Sequence, residues 1–187
     1  MLIEWLYHIG IGGCDMKIDN ANLEKISETQ NKVEEHSRAI DKLVDDVIRP
    51  YCKDLDKYIT FIKDCLKDGE NPPTNEELDD FVMNLSTYIY FASGACEQLG
   101  IRDDISKAVY KEVYHTKRNE LSSGTVADKD SIAELESIQE QITNIVYNRA
   151  YKIIKAKIEN AQELLSSCKK VLSHRLQEMS LTQIGGQ

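Results

Sequence analysis

From Thr125 to Ile184 the chain contains neither glycine nor proline, and apolar residues recur there at helical spacing. Such a stretch reads as one very long helix ending at Gly185 and Gly186. At 1.5 Å per residue, residues 128–180 would reach roughly 80 Å. A helix of that length cannot bury its apolar stripe against a small globular core, so it must pair with other helices. This implies an all-α fold: an elongated helical bundle or coiled coil with one very long C-terminal helix.

The remainder of the chain punctuates itself. Glycines and prolines gather at Gly69–Pro73, Gly94–Gly100 and Gly124. The first helix should be capped by Asp19 or Asn20, and its seam is set by Ile26, Val33, Ile40 and Val47, one every seven residues. Pro50 should kink that helix or start a new one, because it has no N–H to donate. The period resumes at Leu55, Ile59, Ile62 and Leu66. Residues 68–74 read as a loop, and Thr74 with Glu77 as a capping box opening the next helix. Leu78, Phe81, Val82, Leu85, Ile89 and Ala92 form its apolar face, with Gly100 as C-cap. Asp103 or Asp104 should open a third helix with Ile105, Val109 and Val113 inward. Asp128 or Asp130 should open the long helix, with Ile132, Leu135, Ile138, Ile142 and Ile145 on its inner side. Three regions result: an apolar extension at 1–15, an acidic helical region at 16–124 and the long helix at 125–187.

In the long helix Ile154, Ile158, Ala161, Leu165, Cys168 and Leu172 alternate by four and three residues, the rhythm of a coiled-coil seam. This is the candidate oligomerisation seam of a homo-oligomer. An antiparallel bundle formed within one chain would use the same residues.

Charge is unevenly placed. The net charge is −9. Residues 1–100 hold 10 Lys/Arg against 20 Asp/Glu, while 101–187 hold 13 against 12. Between 147 and 175 basic residues dominate, and Tyr147 and Tyr151 stand among them. Aromatic and cationic side chains together suit single-stranded nucleic acid, where bases stack and phosphates pair. Tyr147, Arg149, Tyr151, Lys152, Lys155, Lys169 and Lys170 are therefore the candidate nucleic-acid contacts. The same tyrosine spacing also serves packing between helices.

The residues offer little for catalysis. His8, His36, His115 and His174 have no ligand spacing, no Cys pair stands at zinc spacing, and the Glu-x-x-His element of di-metal bundles is missing. Gly10–Gly13 lacks the Lys-Ser/Thr of a phosphate loop. Cys168 lies on the apolar stripe without a partnering His. Adjacent acids such as Asp45–Asp46 and Asp79–Asp80 point different ways on a helix. The expectation is a non-enzyme with no cofactor and no metal. Five irregularly spaced cysteines fit a reducing cytoplasm, and the apolar N-terminal run is too short to span a bilayer.

The segment from Ser123 to Leu135, continuing to Leu164–Met179, resembles the C-terminal part of phage-encoded helical recombination mediators of the UvsY type. The matching positions are Asp128, Lys129 and Asp130 at a helix start, then Ser173 and Arg175 near its end. The resemblance covers less than a third of the chain. It implies an oligomeric accessory protein of DNA recombination or replication in a host cytoplasm, contacting single-stranded DNA or a DNA-bound partner. The acidic half suggests a different role, an inhibitor or decoy occupying the site of a basic, nucleic-acid-binding protein. Periodicity alone supports a third, a structural coiled-coil adaptor.

Overall fold

The computed structural model describes residues 20–67 and 71–185, with side chains over 22–67 and 71–181. The apolar run 1–15, the Asp19 cap and the first part of the 68–74 loop lie outside the described residues. Within them are four helices and no strand: α1 (Asn20–Lys67), α2 (Asn75–Glu120), α3 (Val126–Glu136) and α4 (Ile138–Gly185). The all-α architecture and the long C-terminal helix follow the sequence expectation.

The chain divides into two compact units, 1–39 and 40–187. The first contributes the N-terminal part of α1. There Leu23, Ile26 and Val33 are exposed, and local bonds such as Arg38 to Glu34 (3.0 Å) decorate the surface.

The second unit holds the core. Val44, Ile48, Cys52, Leu55 and Ile62 of α1 pack with Leu78, Phe81, Leu85, Ile89, Ala92, Cys96 and Leu99 of α2. Val146, Ala150, Ile154, Ile158 and Ala161 of α4 complete the same core. Each row steps by three, four or, from Leu55 to Ile62, seven residues, so each occupies one helix face. The seam expected at Ile26, Val33, Ile40 and Val47 is thereby corrected. Ile40 and Val47 only flank the buried row, because a 3.6-residue helix drifts about 20° per heptad from a strict seven-residue repeat.

α1 runs through Pro50 as one helix. Pro50 is exposed, so the Asp46 carbonyl that lacks its helical donor sits on the solvent side, where water can satisfy it. The expected helix end at Gly100 is also absent, and α2 continues to Glu120. Gly100 instead receives a neighbour. A Cβ there would lie 3.3 Å from Cε2 of Tyr151, so the missing side chain leaves room for that ring.

Both helix starts after loops use reciprocal caps. Thr74 accepts from the Glu77 N–H at 3.2 Å, and the Glu77 carboxylate accepts from the Thr74 N–H at 2.7 Å. Thr125, not Asp128 or Asp130, caps α3. Its hydroxyl accepts from the Asp128 N–H, and Asp128 answers as the N3 acid.

The long C-terminal helix is interrupted at Ser137, whose φ of −104° and ψ of 15° leave the helical range, instead of running unbroken from the cap. The i→i−4 bonds of Ser137 and Gln141 persist at 3.0 Å each, so the ladder is carried through. Ser137 is wholly buried, and its hydroxyl donates to the Ala133 carbonyl at 2.7 Å, a back-bond that commonly bends helices.

Replacing Ile154, fully buried at the centre of the core, by alanine should lower unfolding free energy by about 2–5 kcal/mol in urea titrations. A loss below about 0.5 kcal/mol, the scale of ordinary surface substitutions, would show that this seam is not the core.

Candidate functional site

Several of the charged and polar residues singled out in the sequence, among them Asp103, Asp128, Asp130 and Arg175, hold the helices together. Asp103 of α2 lies opposite Asn144 and Asn148 of α4. Nδ2 of Asn148 donates to one Asp103 oxygen at 3.0 Å, and Nδ2 of Asn144 donates to the other at 3.4 Å and to the Ser106 hydroxyl at 3.1 Å. Ser106 is buried where Ile105 and Val109 were expected to face inward; both of those are exposed. The apolar seam between α2 and α4 thus passes into a polar one. Such a network fixes register, because a slip would strand its members without partners.

A second cluster clamps α3 onto the end of α2. Asp130 accepts from Arg118 Nε and, at 3.1 Å, from the Tyr114 hydroxyl. Lys129 Nζ donates to the Leu121 carbonyl at 2.6 Å. The Arg118 guanidinium holds the Asp130 carboxyl below its usual range, and the Thr125 hydroxyl and N–H do the same for Asp128. Lys157 joins α4 to α1 through both Asp56 oxygens at 2.7 and 2.8 Å. Both partners of that pair are partly exposed, which limits its worth to about 1 kcal/mol or less. Arg175 donates to the Pro73 carbonyl.

The candidate nucleic-acid residues divide into two groups. Arg149, Lys152, Lys155, Lys169 and Lys170 are exposed on α4, and none belongs to an ion pair among the described residues. Glu159 and Glu163 are exposed on the same helix. Tyr147 and Tyr151 are half-buried against the core, Tyr151 over Gly100. Their rings serve packing and are not open platforms for bases.

The candidate oligomerisation seam is covered within the chain. Ile154, Ile158 and Ala161 belong to the core, and Leu165 and Leu172 pack against it. Cys168 is buried beside it. Self-association through this stripe would require opening the bundle. Burial also raises the thiol pKa of Cys52 to about 11, and those of Cys96 and Cys168 upward, so these cysteines are held as inert thiols.

The acids expected to form a decoy surface have local roles too. Glu76 and Glu77 stand in the first turn of α2, where the helix dipole favours negative charge. Among the described residues, no group of three or more His, Cys, Asp or Glu is placed to hold a metal, and no helix is long and apolar enough to cross a membrane.

What the sequence reading missed is a groove between α2 and α4. Arg102, Ile105, Ser106 and Val109 form one wall, and Gln139, Glu140, Thr143 and Tyr147 the other, around a volume of about 460 Å³. Ile138, Ile142 and Ile145, expected inside, are exposed. The available signal was the polar trio Asp103, Asn144 and Asn148, which marks where the apolar seam ends.

No family model matches this chain, and neither a curated protein nor a solved structure matches it. The resemblance to recombination mediators rests on its own residues. Three of these, Asp128, Lys129 and Asp130, are engaged in the cap and clamp of α3, and Arg175 in the Pro73 contact.

The depressed carboxylates give a pH dependence with a definite sign. A carboxyl whose folded pKa lies below its unfolded value, about 4, stabilises fully above that value and loses the contribution as pH falls through the folded one. Amide exchange in α3, corrected for intrinsic rate, should therefore accelerate between pH 6 and pH 3 more than exchange in residues 85–99. Equal acceleration would show that Asp128 and Asp130 do not anchor α3.

Proposed function

We propose that this protein is a non-enzymatic helical adaptor, which acts by presenting apolar helix surface to other helices. The observation that carries this reading is the groove in which exposed Ile105 and Val109 of α2 face Thr143 and Tyr147 of α4, left open where the intrachain core stops. A soluble helix normally turns such residues inward. A two-walled trough with Ile105, Val109 and the Tyr147 ring as its apolar part, one cation, Arg102, on one wall and one anion, Glu140, on the other suits an amphipathic helix laid along it. The groove contains no nucleophile–base pair, in keeping with binding as its task.

A photo-reactive residue placed at Thr143, compared with one at exposed Lys63 on α1, tests this in the native cell. The adaptor reading expects a discrete crosslinked species at 143 that is missing at 63 and is lost when Val109 becomes Glu. Identical patterns at the two positions would reject it.

A second reading has its own support. Arg149, Lys152, Lys155, Lys169 and Lys170 are exposed without ion-pair partners among the described residues, which leaves them available to phosphates. In that reading the chain is an accessory protein of phage-type recombination or replication that contacts single-stranded DNA in the cytoplasm. Oligo-dT anisotropy should then weaken steeply with salt, and Arg149→Ala with Lys152→Ala should reduce both the affinity and the salt slope. A folded protein with no oligo-dT binding at low salt would remove this reading and leave the adaptor.

A further inference from the structure

From Phe81 to Cys96, about four turns of helix, α2 carries no Asp, Glu, Lys or Arg, although 29% of the chain is charged. One side of this stretch is the core row through Leu85, Ile89 and Ala92. The opposite side faces solvent and is also apolar. Met83, Tyr90, Phe91, Ile101 and Ile105 are 65%, 75%, 68%, 60% and 57% exposed. Met83, Tyr90, Ile101 and Ile105, with Thr87, Gly94 and Gln98, form a row whose steps, 83, 87, 90, 94, 98, 101 and 105, are again threes and fours, and Phe91 stands beside it. A helix apolar on two opposite faces is built to be covered on both.

We infer that this second face is covered by the same face of a second copy of the chain, in an antiparallel α2–α2 pair crossing at Gly94.

Three observations favour a second copy over an unrelated partner. The row is symmetric about Gly94: Met83 and Ile105 are equally distant from it, as are Thr87 and Ile101, and Tyr90 and Gln98. Under a two-fold axis at Gly94 each of these residues meets its counterpart, the self-complementarity that an isologous interface requires. Gly94 itself is exposed, and a Cβ there would meet nothing within 4 Å. Within the monomer alanine would fit this place and stabilise the helix by about 1 kcal/mol. A glycine is useful there if another backbone approaches closely. The size also matches. Two aromatic and three aliphatic side chains, each more than half exposed, offer on the order of 700 Å² per copy, against about 800 Å² per partner in a stable interface. Tyr90 and Phe91, packed edge to face at 5.6 Å, would supply the aromatic anchor on each side of the axis.

This inference rests on the reading of the chain as a binding module, and its test alters Phe91, Gly94 and Ile101, none of which lines the α2–α4 groove. The full chain carrying Cys14→Ser and Cys65→Ser would be made with Gly94→Cys or, as control, Gln162→Cys at an exposed site on α4. Wild-type protein at micromolar concentration should sediment at twice the 21.3 kDa chain mass. Oxidation should link Gly94→Cys chains at least about tenfold faster than Gln162→Cys chains, since thiols held together in a complex react at roughly millimolar effective concentration. The Phe91→Asp, Ile101→Asp double variant should fall to single-chain mass with its helicity intact. If that variant does not fold, the crosslinking comparison decides. A single-chain mass at tens of micromolar, or a dimer in which both cysteines link at the same rate, would overturn the inference and assign the face to another occupant.

Discussion

Residues 40–185 depend on one arrangement: α2 packs against α1 and α4 at once, through a row running from Leu78 to Leu99. Loss of that row would leave α1 and α4 without a common partner. Its strength comes from area removed from water, on the order of 25 cal/mol per Å², summed over side chains such as Leu85, Leu99 and Ile154 that are completely buried. Register comes from elsewhere. An apolar row can slide by a heptad and still match, whereas Asp103 facing Asn144 and Asn148 cannot. Tyr58 adds a similar constraint between α1 and α2, reaching the Asp80 carbonyl at 3.3 Å and stacking near Tyr88.

The polar network also marks where the core stops. Beyond it, Ile105 and Val109 on α2 are exposed, and the groove opens between them and Gln139, Glu140, Thr143 and Tyr147 on α4. One transition in the seam therefore sets both the register of the bundle and the position of its candidate binding surface. The basic residues of α4 belong to a different face. Their separation from Tyr147 and Tyr151, which are used in packing, is what distinguishes binding through apolar grooves from binding through stacked bases.

Much of this was legible in the sequence. The absence of breakers after Thr125 and the four–three rhythm from Ile154 to Leu172 placed α4 and its buried face, and Thr74 with Glu77 marked the start of α2. Glycine was the weak signal. Gly100 looked like a cap but makes room for Tyr151, a contact between residues far apart in sequence that no local pattern encodes. Pro50 suggested a kink or a new helix start, but α1 continues through it, with the unbonded Asp46 carbonyl on the solvent side. The inner assignments of Ile105, Ile138 and Ile142 failed for a related reason. Periodicity identifies an apolar face without saying whether a partner covers it, and among the described residues those positions are left exposed. The outer row of α2 was hidden because Tyr90 and Phe91 share a helix with a stronger apolar face, and two opposed stripes cancel in any search for a single one.

Hydrogen exchange of the intact chain, followed residue by residue across a wide dilution series, tests the central claim most directly. If α1, α2 and α4 form their core within one chain, protection of residues 146–161 will equal that of 85–99 and will not change on dilution. Protection of 146–161 that disappears on dilution while 85–99 stays protected would show that α4 finds its partner in another molecule, and would contradict the account.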